Sequence, residues 1–261
     1  MNKSHILTLF NQDQRKEVEY PGLRREVTPH VVRHVDTSDD GEGTITYSQL
    51  SEANADAVIR EQVRYFESIG QDFEWKLYDY DEPADLKTRL ESFGFEIEEV
   101  EAIMVLDLEH APAMLWQPAH PSIRRITDPE KLTDVVAVEE HVWDEDFSAL
   151  GHFLADALRN TPDQMSVYVA YADERPVSAA WVYFRDSSPF ASLWGGSTLM
   201  DYRKQGLYTA LLAVRAQEAR ARQVRYLVVD ASPMSRPILE KFGFEVIAYS
   251  YPCHWKRKPK A

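Results

Sequence analysis

Cysteine is nearly missing: Cys253 is the one such residue in a chain of 261. No internal disulfide can form, and a cytoplasmic location is the expectation. Cys253 is also a poor nucleophile candidate. Its neighbour in YPCHW, His254, falls on the opposite face if the segment is a strand. Long apolar runs are absent too. None reaches the roughly 18 residues of a membrane span, and the leading MNKSHILTLFNQDQ is too briefly apolar for a secretion signal. Positive charge is short as well. The formal net charge of -14 arises in residues 1–120, with 25 acidic and 11 basic side chains, whereas residues 121–261 hold 18 of each. An acidic half repels phosphates, so no nucleic acid partner is expected. The basic run KRKPK, residues 256–260, is read as a chain end. The acidic half serves solubility and would attract a cationic amine. No metal is expected.

What is present is a near-repeat. LESFGFE, residues 90–96, and LEKFGFE, residues 239–245, agree at six of seven positions at an offset of 149. The same offset pairs Asp81 with Asp230, each closing a strand-like run, FEWKLYDYD and VRYLVVD. A short helix, a glycine suited to a left-handed helix end and an alternating strand follow each time. The strands are FEIEEVEAIMVLDL and FEVIAYSYPCHW. An ungapped agreement of this length points to duplication. EHAPAMLWQPAHPS, residues 109–122, carries three prolines and reads as a linker. The chain is accordingly divided into residues 1–118 and 119–261.

The second part reads as strand 122–126, helix 128–143 capped by Asp128, helix 148–160, a hairpin over 165–185 turning at 173–176, strand 190–199, a helix to about 223 and strand 224–230. Helices interrupting a mostly antiparallel sheet give an α/β (α+β) fold with a mixed sheet flanked by helices. The first part repeats only the later portion of this series, from about residue 45. At the junction STLMDYRKQGLYTALL, residues 197–212, a strand hands over to a helix near Gly206. The first amides of a helix have no partner within it and attract anions. Gly206 lets an oxygen approach the backbone, while Arg203, Lys204 and Thr209 add charge and a hydroxyl. The spacing is neither G-x-x-x-x-G-K-[ST] nor G-x-G-x-x-G.

Arg203-x-x-Gly206-x-Tyr208 resembles the [RQ]-x-x-G-x-[GA] loop of GNAT-type N-acetyltransferases, and LEKFGF resembles that family's L-Y-E-K-x-G-F ending. The resemblance covers about residues 122–255. A degenerate version over 45–108 makes the chain resemble tandem members with one worn copy. It implies acetyl-CoA as acyl donor, lying between strands 190–199 and 224–230. It implies backbone contacts from Gly196, Ser197 and Thr198 to the pantetheine, and from Arg203, Lys204, Gln205, Gly206, Leu207, Tyr208 and Thr209 to the diphosphate. Ser232 and Ser235 would touch the pantetheine or its sulfur end. The sequence departs at Tyr208, where a second Gly or Ala is usual. It departs again at Leu239, which replaces the Tyr that commonly serves as general acid. The implied function is transfer of an acetyl group to a primary amine of a small molecule or peptide. A non-catalytic acyl-CoA sensor is the alternative. Glu140, from the acidic run VEEHVWDEDF, is the candidate base, and Tyr249 the candidate acid.

Overall fold

The computed structural model describes residues 2–37 and 41–257, so most of the KRKPK run lies outside the described residues. The chain divides into two compact units. One comprises Met1–Met104, Asp230–Pro237 and Val246–Ala261; the other comprises Val105–Val229 and Ile238–Glu245.

In the first unit, α1 (Lys3–Phe10) runs into a π-helical turn, Asn11–Lys16. A meander of β1 (Leu23–Val27), β2 (Val31–Asp36) and β3 (Glu42–Ser48) follows, then α2 (Ala55–Ile69), β4 (Asp72–Tyr78), α3 (Leu86–Ser92) and β5 (Glu96–Ile97). β4 alternates along its length, and Phe73, Trp75 and Leu77 are buried. They join a core with Val58, Ile59 and Phe66 of α2, and the Phe66 and Phe73 rings stack at 4.2 Å. Fully burying each such side chain contributes about 1.5–3 kcal/mol. The meander was not legible in the sequence, where the repeat begins only near residue 45. The expected single strand over FEIEEVEAIMVLDL is broken into β5 and β6 (Glu101–Asp107).

In the second unit the chain forms β7 (Ile123–Ile126), α4 (Thr133–Trp143), α5 (Ser148–Asn160), β8 (Met165–Ala172), β9 (Arg175–Phe184), β10 (Phe190–Thr198), α6 (Leu207–Ala221) and β11 (Tyr226–Ala231). The short α7 (Arg236–Lys241) and β12 (Glu245–Trp255) close the chain. Asp128 does cap a turn, accepting from the Glu130 amide at 3.0 Å before α4 begins. β8 and β9 join through Asp173 and Glu174, with φ of 49° and 61°. That is the positive-φ pair of a tight hairpin turn whose twist matches the strands. Val135 and Val138 of α4 and Leu154 of α5 pack on Val167, Val169 and Val177 of the sheet.

Each unit contains a parallel pair. β3 pairs with β4 from Glu42↔Asp72 to Ile45↔Trp75. β10 pairs with β11 from Phe190↔Tyr226 to Ser192↔Val228. In each case the ladder stops while both strands continue, so the edges beyond it are free of each other. The last strand belongs to the first unit from Val246 onward because its register ties it to β4, Ser250↔Tyr78 through Trp255↔Phe73. Residues 105–118, including the 3₁₀ turn Ala113–Trp116, fall in the second unit.

Candidate active site

The second unit's open edge is the outer half of β10. Its pairing with β9 slips between Gly195 and Ser197, a bulge that matches φ of +67° and +97° at Gly195 and Gly196. Side chains cannot replace either glycine cheaply. A Cβ on Gly195 would meet the Trp181 ring at 2.5 Å, and one on Gly196 would meet the Tyr208 ring at 2.9 Å. The bulge re-aims Ser197. Its hydroxyl donates to Glu139 Oε2 at 2.6 Å, and the Trp143 indole N–H is 3.1 Å from both Glu139 Oε2 and Ser197 Oγ. Glu139 is only 3% exposed. Its second oxygen, Oε1, is buried without a partner. Burial raises its pKa above the usual carboxylate value, and the bonds from Ser197 and Trp143 offset this only in part. Trp143 is half exposed and forms the solvent side of the trio.

Glu140, the carboxylate singled out from the sequence, is exposed. The helix geometry explains the exchange. Val135, Val138 and Glu139 stand at i, i+3 and i+4 on the inward face of α4, and Glu140 is turned away. That periodicity was the signal that could have found Glu139.

The junction before α6 holds the anion-binding features. Gly206 sits at the helix N-cap with φ of 83°, and a Cβ there would meet nothing within 4 Å. The first helical bond is from the Ala210 amide to Gly206 O at 2.9 Å, so the amides of Leu207, Tyr208 and Thr209 precede the ladder. Arg203 and Gln205 serve the loop itself. Arg203 Nε donates to Thr198 O at 3.0 Å and Gln205 Nε2 to Asp201 O at 3.0 Å. Lys204, exposed with φ of 62°, is the cation of this loop that bonds to nothing among the described residues. Tyr208 turns its ring onto Gly196, away from the exposed loop, and burial raises its pKa.

Two carbonyls of the expected pantetheine contacts are already engaged. Ser197 O accepts from Ser178 Oγ at 2.6 Å, and Thr198 O accepts from Arg203. Gly196 keeps the edge position. Arg215 of α6 is 2% exposed and has no carboxylate partner among the described residues. Its guanidinium donates to the carbonyls of Leu211 (3.0 Å), Trp181 (3.2 Å) and Trp194 (3.1 Å), and desolvation lowers its pKa to about 10. It satisfies strand carbonyls beside the bulge. The sequence reading missed it, although its spacing from Leu211 and Leu212 puts it on the inner helix face.

The remaining sequence candidates have partners of their own or are buried. Ser232 and Ser235 are in the first unit and bond to each other, Oγ to Oγ at 3.3 Å. Tyr249 is there too, its hydroxyl accepting from Arg236 Nη1 at 3.0 Å. Leu239 is buried at 1% exposure. Cys253 is buried, its thiol pushed up to about 12. No helix among the described residues is long and apolar enough to cross a membrane.

Residues 131–244 match the sequence model of the Acetyltransferase (GNAT) family. The GCN5-related N-acetyltransferase from Kribbella flavida superposes with a TM-score of 0.63 at 15% identity, covering 99% of this chain and 95% of that one. A functionally unknown conserved protein from Staphylococcus epidermidis gives 0.69 at 12%, covering 93% and 97%. A tandem GNAT protein from the clavulanic acid biosynthesis pathway gives 0.61 at 12%, covering 93% and 86%. At such identities the likeness is one of fold. No curated protein sequence matches the chain.

Proposed function

We propose, with a GNAT-family acetyltransferase domain at residues 131–244 as the premise, that this protein transfers an acetyl group from acetyl-CoA to a primary amine. Members of that family are acyltransferases, and the finer assignment rests on the second unit's own residues. The observation that carries it is the coincidence of a strand edge that has parted from its parallel neighbour, β10 beyond Ser192, with a helix start whose first amides precede the ladder. A diphosphate is a natural ligand for such amides, because they are oriented donors at the positive end of the helix dipole. Gly206 leaves room for its oxygens, and Lys204 supplies the unpaired charge. The donors that fit the diphosphate are thus the amides of residues 206–209, with Arg203 and Gln205 shaping the loop.

Acetyl-CoA, when bound, supplies an electrophilic thioester carbonyl. The protein's part is to deprotonate the attacking amine. Glu139 is the proposed base in place of Glu140: its Oε1 has an open valence, and its raised pKa brings it nearer to neutrality, where a general base works best. Ser197 and Trp143 hold Oε2 and fix the rotamer of the carboxylate. Leu239 has no proton to give, and the reaction as proposed gives Tyr249 no step. The first 118 residues are proposed to be a degenerate copy, supported by the repeat of LESFGFE and by the β3–β4 ladder that stops as β10–β11 does. A cytoplasmic location belongs to the same proposal. The experiment is release of free CoA thiol from acetyl-CoA across a panel of amines, run beside calorimetric binding of acetyl-CoA. Binding with no amine-dependent thiol release would favour the sensor, and no binding would end both readings.

A further inference from the structure

The first unit holds a recess of about 260 Å³ that the proposed reaction does not use. Its floor is closed by Arg15, from the π-helical turn. This side chain is 1% exposed and spends every donor group inside the unit. Nε donates to Thr46 O at 3.0 Å, Nη1 to Asn11 Oδ1 at 3.0 Å and Tyr80 Oη at 3.2 Å, and Nη2 to Asp81 Oδ2 at 2.8 Å. The Thr46 hydroxyl returns a bond to Arg15 O at 2.8 Å, and the guanidinium lies 3.9 Å from the centroid of Tyr78. Thr46 is on β3 past the end of its ladder with β4. Arg15 therefore engages one carbonyl of β3, that of Thr46, just beyond the ladder.

The mouth of the recess is chemically different. With Arg15 and Asp81 neutralising each other, one cation and one anion are left over. The Lys16 ammonium sits 4.5 Å from the Tyr47 ring centroid and has no carboxylate partner among the described residues. Glu82 is exposed and makes no ion pair among them. The Ser48 hydroxyl, on a residue 8% exposed, is buried without a partner, an arrangement costing about 1–3 kcal/mol unless something bonds to it. Tyr47, Tyr80 and Leu50 make the remaining wall aromatic and aliphatic. A single anion would be opposed by Glu82, and a single cation by Lys16. A group carrying both charges meets both needs.

We propose that this recess binds a free α-amino acid. Lys16 and the Ser48 hydroxyl take its carboxylate, Glu82 takes its ammonium, and its side chain packs on Tyr47 and Tyr80. The volume suits a ligand of that size. This inference is independent of acetyl transfer in the second unit.

The test screens the standard L-amino acids against the full-length protein by thermal shift, with calorimetry on the best binder. That binder is compared with its deaminated and its decarboxylated analogue. At least one amino acid is expected to bind saturably, with each analogue weaker by about tenfold or more. Lys16→Gln and Glu82→Gln sit at the open mouth and are expected to weaken binding by a similar factor, with circular dichroism unchanged. Ser48→Ala is expected to weaken it less. No saturable binding by any amino acid up to roughly 10 mM would overturn the proposal. So would an analogue that binds as tightly as the parent, or undiminished binding to folded Lys16→Gln.

Discussion

Replacing Glu139 by Gln separates its chemistry from its packing. The amide oxygen can keep both bonds that Oε2 accepts, from Ser197 at 2.6 Å and from Trp143 at 3.1 Å. The new NH₂ takes the position of Oε1, which has no partner now. The shape of the trio is preserved, and only the capacity to accept a proton is lost. A positioned general base contributes about 10²–10⁴ in rate, or about 2.7–5.4 kcal/mol of barrier. The acceptor-saturated kcat of Glu139→Gln is expected to fall by that factor, with the calorimetric Kd for acetyl-CoA unchanged. A second signature comes from pH. Burial raises the pKa of Glu139 above 4.5, so wild-type activity rises with pH through a value above that figure, and the variant loses this limb. Stability moves the other way. A carboxyl with a raised folded pKa stabilises fully below its unfolded pKa, and that contribution is lost as pH rises through the folded one. Glu139→Gln is therefore expected to gain melting temperature relative to wild type near neutrality, with the gain vanishing below about pH 4. Glu140→Gln, on the exposed face, is the control and should change neither readout. A kcat within threefold of wild type, or an unchanged acidic limb, would refute Glu139 as the base.

Four further outcomes are expected. Gly206→Glu should abolish acetyl-CoA binding by calorimetry with circular dichroism intact, while Gly206→Ala, which carries only the roughly 1–2 kcal/mol strain of φ 83° without added charge, should weaken it less. Leu239→Tyr should lower the melting temperature, since overpacking a site only 1% exposed costs about 1–3 kcal/mol, yet leave measurable thiol release. Arg15→Met leaves Asp81 buried and unpaired, and urea titration should show a loss of about 3–5 kcal/mol that an added Asp81→Asn partly restores. Cys253, buried with its thiol pushed up to about 12, should resist aromatic disulfide reagents in the native protein and react fully in denaturant.

Local signals carried much of the architecture. The β-branched and aromatic content of MSVYVAYA and RPVSAAWVYF marks β8 and β9, and positive φ at Asp173 and Glu174 fits the turn read between them. The glycine before LYTALL marks where α6 begins, because only an unbranched backbone takes that conformation without strain. The strands β1 and β2 escaped notice because they precede residue 45, where the likeness between the two copies begins, and β3 because it reads EGTITYS where β10, at the same offset of 149, reads ASLWGGS.

What the sequence determined by itself is therefore the order and type of the elements in residues 122–230, and the position of a free helix start at Gly206. Periodicity and turn chemistry act over a few residues and need no partner to be read. Tertiary structure alone decided which carboxylate of VEEHVWDEDF is buried, that Arg203 folds back on Thr198, that Arg15 bonds the Thr46 carbonyl of β3, and that the last strand pairs with β4. Each of those depends on contacts between residues far apart in the chain, where burial, competing partners and strand register select among side chains that look alike in the sequence.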